Sequence, residues 1–231
     1  MSCIQHLLAL GAQINAEKKG KTILMIAAGK GFIELVSEIL SKDAWVNHGD
    51  SDSRIALHYA IDNKAENLDV VSLLIEKAAD FNKETTSDGF TPLIIAVNRG
   101  HKAIAKTLIE MGAKLDAMEY NQNNTALHIA CQKGEKEIVE MLATESTFDS
   151  IFNNENKNSQ KAIDISMDKV MEVQQEMLMS GMTPVTAGAG GASSAGQLRG
   201  QKKNQGQANE KDKANPENRY WHIFDYLDSL K

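Results

Sequence analysis

The residue types suited to nucleophilic, acid–base or metal chemistry are few in this chain: two cysteines, six histidines and a scatter of carboxylates. Cys3 and His6 lie one helical turn apart and could share a metal, but a single pair falls short of the four donors a structural zinc site takes. His58 and His128 recur in one context, A-L-H-x-A, and nothing beside either supplies a nucleophile or an orienting carboxylate. The chain contains no G-x-x-x-x-G-K-[ST] phosphate loop, no G-x-G-x-x-G after a strand, no H-E-x-x-H and no nucleophile elbow. The acidic residues fall on predicted solvent faces. No catalytic residue, cofactor or metal is therefore expected, and the histidines read as packing and hydrogen-bonding residues.

The elements that must carry these residues are helical. Aromatics make up only 5% of 231 residues while small aliphatics abound, which suits helix packing better than a sheet sandwich. A net charge of −6 argues against the positive field that nucleic acid or an anionic membrane rewards. No apolar run approaches the roughly 20 residues of a membrane span, and the first residues lack the charged-then-apolar pattern of a signal peptide. Cys3 and Cys131 sit inside apolar patterns and are expected to be reduced, in a protein of the cell interior and its cytoplasm.

Self-comparison finds one motif five times: TILMIAA from position 22, IALHYAI from 55, TPLIIAV from 91, TALHIAC from 125 and a degenerate KAIDISM from 161. The starts are 33, 36, 34 and 36 residues apart. Each of the first four copies continues into a second apolar block at helical spacing, such as Leu35-Val36 with Ile39-Leu40 and Ile138-Val139 with Met141-Leu142. A short exit follows each such block, as in Gly11-Ala12, Asp43-Ala44, Ala78-Ala79 and Gly112-Ala113. Period, T-P-L-H-x-A signature and exit together resemble the ankyrin-repeat family. The resemblance implies a mainly α solenoid of stacked helix-turn-helix units with β-turn or hairpin fingers. It also implies that His58 and His128 hydrogen-bond between loop and helix. One helix pair cannot bury its own apolar face, so stability must come from stacking.

The expected organisation is a repeat domain over residues 1–180. It comprises a truncated cap at 1–16, repeats at about 17–49, 50–85, 86–119 and 120–154, and a C-terminal cap at 155–180. Val170 stands where an inter-helix glycine would be, so the last unit is expected to run as one longer helix. Insertions near residues 64–67 and 150–159 read as surface loops. Residues 181–217, rich in Gly, Ser, Gln, Asn and Lys, read as a flexible linker. In the segment 218–231, Tyr220, Ile223, Phe224, Leu227 and Leu230 share one helical face, too short to fold alone. It must dock, and the long polar tether favours a partner over the repeats.

The resemblance points to protein binding, and the acidic balance and the absence of an apolar span point to no nucleic acid and no membrane. The family's concave-facing position reads Ile26, Tyr59, Ile95, Ile129 and Ile165, either an apolar stripe for a partner or side chains half-buried between first helices. Fingertips carry Lys18, Lys19 and Lys21, then Asp52 and Arg54, then Asp88 and Phe90, then Asn121, Gln122 and Asn124. Phe90 has no evident core to join and is the expected hot spot. Trp45 and Phe148 stand at exits where other units place polar residues, as partner anchors or docking points. Tyr220, Trp221, Phe224 and Leu227 complete the candidate partner-binding residues. The alternatives are a structural subunit of a larger complex anchored by the aromatic terminal helix, or a regulatory accessory subunit of an enzyme complex.

Overall fold

A threonine before an apolar helical run fixes where most of the units begin. A computed structural model of the chain describes residues 11–143 and 152–179, together with Tyr220, His222, Ile223, Tyr226 and Leu227. A two-stranded antiparallel hairpin, β1 (Glu17–Lys18) and β2 (Lys21–Thr22), leads into α1 (Ile23–Lys30). Then come α2 (Ile33–Leu40), α3 (Ala56–Ile61), α4 (Leu68–Glu76), α5 (Pro92–Arg99) and α6 (Lys102–Glu110). α7 (Ala126–Lys133), α8 (Lys136–Leu142) and α9 (Ala162–Met179) follow. The Thr22 and Thr91 hydroxyls accept from the backbone N–H of Met25 and Ile94, each at 3.3 Å, satisfying donors that a helix start leaves open. Gly100 and Gly134 end α5 and α7 in the left-handed region and turn the chain into the second helices.

Odd-numbered helices stack on one another from α1 to α9, and even-numbered helices form a second row from α2 to α8. The motif leucines Leu24, Leu57, Leu93 and Leu127 are buried, and the motif alanines Ala27, Ala60, Ala96 and Ala130 let the first helices approach closely. The result is one continuous core running through every repeat.

Polar bridges tie each unit to the next. Nε2 of His58 donates to the Lys83 carbonyl at 3.0 Å, and Nε2 of His128 to that of Gln160 at 3.1 Å. A carbonyl only accepts, so Nε2 carries the proton and Nδ1 accepts from the N–H of Ile55 and of Thr125. Burial keeps both rings neutral, pulling His58 down to about 4. At the exits, the carboxamide oxygens of Asn15, Asn47 and Asn82 accept from the N–H of Trp45, Asp80 and Lys114, one repeat onward each time.

The insertion near residue 64 has more to do than vary a surface. The Asn63 amide donates to Gly29 O in the preceding repeat, and the Asn63 carbonyl accepts from His101 Nε2 in the following one. Glu66 Oε1 accepts from the N–H of Ala103 and Ile104 and so caps α6 in trans.

The terminal segment corrects an expectation. α9 continues straight through the place where a repeat would turn, so the last unit provides no second helix of its own to cover α8. Ile223 and Leu227 are fully buried and belong to the repeat core. The Tyr226 hydroxyl donates to the Ala143 carbonyl at 3.0 Å, just past α8, and that of Tyr220 to the Gln132 carbonyl of α7 at 3.4 Å. The chain thus covers its last second helix with residues from beyond position 219, and the folded unit does not close at residue 180. Leu227, offered from sequence as a partner contact, is a core residue because an apolar side chain gains more in this dry seat than in water. Tyr220 is half-buried in the same place. Cys3, His6, Phe148, Trp221, Phe224, Leu230 and the 181–217 stretch lie outside the described residues.

Candidate protein-binding surface

The first helices and fingers of the first two repeats carry six of the predicted site residues: Lys18, Lys19, Lys21, Ile26, Arg54 and Tyr59. Ile26 on α1 is 48% exposed. Tyr59 on α3 lies against the backbone of Gly29, where an added Cβ would stand 3.4 Å from the tyrosine's own Cβ. The Tyr59 ring holds Lys21 Nζ at 4.6 Å and Arg54 Cζ at 5.1 Å from its centroid, both within cation–π range. Its hydroxyl donates to Asp50 Oδ2. Burial and that hydrogen bond raise the phenol to about 12, so it stays a donor.

Asp50 is held from its other side by the N–H groups of Asp52 and Arg54, both at 2.9 Å. Arg54 reaches on to Asp62 at 2.6 Å, and Arg99 of the third repeat donates to the other Asp62 oxygen through Nε at 2.8 Å and Nη2 at 2.5 Å. Burial works against the Asp62 carboxylate, yet the two guanidinium groups outweigh it and hold its pKa below the usual value. This chain of groups sets the Tyr59 ring rigidly between repeats.

The predicted stripe does not continue. Ile95 is 3% and Ile129 8% exposed, and Ile165 is half-buried, so these side chains fill the seam between neighbouring first helices and offer a partner little. Phe90 also differs from expectation: it is half-buried and packs on the core, its N–H bonded to Thr85 Oγ1 at 2.9 Å. A finger that folds back onto the stack gives its aromatic ring a core to join. Lys18, Lys19 and Lys21 are exposed, and Arg54 is half-buried by its two partners. Trp45 is 58% exposed, its ring 5.5 Å from that of His48, which pairs with Glu17 of β1 at 2.7 Å. The tryptophan therefore flanks the first hairpin.

Two exposed aromatics escaped the sequence reading. Phe32, 55% exposed, follows the turn glycine where the third and fourth repeats place His101 and Glu135; that mismatch was available as a signal. Tyr120 rests its ring on Gly89, a position where even a methyl group would collide with it, and nothing in its own repeat's pattern announces that contact.

At the other end lies a cleft of about 360 Å³ bordered chiefly by amides, among them Gln122, Gln132, Asn158 and Gln160, with Ile165 and the Lys169–Glu172 pair. No nucleophile serves it. Cys131 is fully buried, and burial pushes its thiol up to about 12, against the bond to Ser166. Among the described residues no three His, Cys, Asp or Glu side chains are grouped to hold a metal, and no helix is long and apolar enough to cross a membrane.

The profile described as "Ankyrin repeats (3 copies)" matches residues 1–85 and 80–156, most of the chain. The chain belongs to the ankyrin-repeat family. Its repeats are similar to those of the phosphocholine transferase AnkX of Legionella pneumophila, at 30% identity over 68% of this chain and 17% of that protein. They are similar as well to the nuclear factor NF-kappa-B p105 subunit of Gallus gallus, at 25% identity over 80% of this chain and 19% of that one. The NF-kappa-B inhibitor alpha of the same species matches at 36% over 43% of this chain and 31% of its own length. The chain thus spans less than a third of each of these relatives. Ankyrin repeats are generally protein–protein interaction modules and not typically enzymes.

Proposed function

We propose that this ankyrin stack is a non-enzymatic binding module that holds a protein partner on the first-helix face of its first two repeats, with the β1–β2 hairpin as the rim. The observation that carries this is the exposure of Ile26, one helical turn from the Gly29 backbone that the Tyr59 side chain packs against, that ring being oriented by Asp50, Lys21 and Arg54. An apolar centre with a pre-ordered aromatic and a polar border is the anatomy of a protein interface. The seating of Ile223 and Leu227 in the chain's own core weighs against the alternative of a subunit anchored by its terminal helix.

Photo-crosslinking tests the reading. A benzophenone side chain at position 26 should capture one dominant partner in cells, and the same probe at position 95, inside the seam, should not. Ile26→Asp should abolish partner recovery while leaving the thermal melt in place. Capture from position 95 alone, or an Ile26→Asp variant that keeps its partner, would move the interface elsewhere.

A further inference from the structure

We infer that the first hairpin and the adjoining face of α1 read an acidic peptide segment bearing apolar side chains, presented by the protein partner; this deepens the function proposed above and rests on it. Lys18 and Lys21 are directly paired across the two strands, a like-charge juxtaposition that weakens a hairpin. The turn between them is Lys19-Gly20, with φ of 55° and 72°, the double left-handed geometry of a two-residue turn that prefers Asn-Gly. Lysine at its first position gives up local stability and places a third ammonium at the tip. Lys30, one helical turn beyond Ile26, extends the basic rim along the same face of α1.

Of these four cations, Lys21 lies over the Tyr59 ring. No ion pair among the described residues involves Lys18, Lys19, Lys21 or Lys30, while the surrounding carboxylates are already engaged: Glu17 with His48, Asp50 with Tyr59 and the turn N–H groups, Asp62 with two arginines. The basic rim thus stands out from a chain whose net charge is −6. The later fingers are tied forward by backbone bonds from Thr86 to Asp52, Tyr120 to Asp88 and Lys157 to Gln122. No such bond among the described residues links the first hairpin to the second finger, and Lys18, Lys19 and Lys21 are exposed.

The exposed Ile26 at the centre selects a peptide over a nucleic acid, because a sugar–phosphate strand gains nothing from an aliphatic contact and the Tyr59 ring is already flanked by cations. Trp45, linked to β1 through His48 and Glu17, offers a second apolar contact to a segment lying along the hairpin.

The probe is a fluorescein-labelled twelve-residue peptide alternating glutamate with leucine and phenylalanine, measured by anisotropy against the full chain, beside its glutamine isostere and a dodecathymidylate. The acidic peptide should bind, the isostere about tenfold more weakly, and the affinity should fall as salt rises. K18E/K19E/K21E should remove about tenfold or more, and Ile26→Ser several-fold, with unchanged melting. Lys19→Asn, which suits the turn better, should raise the melting temperature and lower the affinity together. Equal binding of the isostere, or indifference to the triple reversal, would overturn the acidic reading even where crosslinking from position 26 upholds the surface. Tighter binding of the oligonucleotide would overturn it in favour of nucleic acid.

Discussion

The first two repeats and the C-terminal end of the stack are built from one motif and use it in opposite ways. At the N-terminal side the first hairpin makes no described backbone bond to the next finger, Ile26 stays exposed, and Lys18 and Lys19 are exposed and form no ion pair among the described residues. At the C-terminal side Lys157 reaches the carbonyls of Tyr120 and Asn121, Asn156 donates to Asn124, and a distant segment fills the last seat on α8. In a one-dimensional stack each repeat contacts only its neighbours, so the same motif position can be covered in one repeat and open in another.

If the C-terminal end is closed by its own chain, Leu227→Ala should cost about 2–5 kcal/mol, comparable to the same change at fully buried Leu108. Urea melts with hydrogen exchange read at α8 would check this; faster exchange throughout α8 is the expected local sign, and a neutral result would detach the segment from the fold. Acid sharpens the comparison from the middle of the stack. The His58 imidazole is neutral when folded, with its pKa near 4 against an ordinary 6.5, so its contribution is fully present above 6.5 and is lost as pH falls toward about 4. That difference is worth roughly 3 kcal/mol. His58→Met, which copies the Met25 of the first repeat, should flatten the pH dependence of the melt between those limits.

A smaller effect is expected at the second exit, where Ala78 holds φ of 62° at a position that suits glycine. Ala78→Gly should raise stability by about 0.5–1 kcal/mol in a chemical melt, a gain that would vanish if the exit relaxed into another conformation. Smallest of all, Ile26→Ser should change stability by no more than about 0.5 kcal/mol, since this side chain lies outside the core. A cost near that of Leu227→Ala would erase the contrast between the two ends.

The period and the helix starts were legible because each is dictated within one repeat, by a capping hydroxyl and an apolar spacing, while the histidine bridges were legible through the resemblance, from an imidazole at a fixed offset. What stayed hidden depends on neighbours. Ile26 and Ile95 occupy the same motif position, one in the first described repeat and the other mid-stack, and differ in burial. Phe90 found a core only once its finger was seen to fold back. Glu66 caps a helix in the following repeat, 37 residues away, a relation no local pattern encodes. The terminal segment's aromatic face was evident, but its seat is a vacancy left by α9 running straight, which exists only in three dimensions.

That seat has a kinetic consequence. Ankyrin stacks assemble from contacts between nearby parts of the chain, which close quickly. The contacts made by Tyr226 and Tyr220 here join residues 83 and 88 positions apart, and the entropy of closing so large a loop must be met before they return anything. Folding should therefore end with a distinct late step in which the stack is formed and the flank of α8 still waits for Ile223 and Leu227. During that interval the flank can accept the same residues from another chain, so refolding at high concentration favours exchanged dimers over monomers.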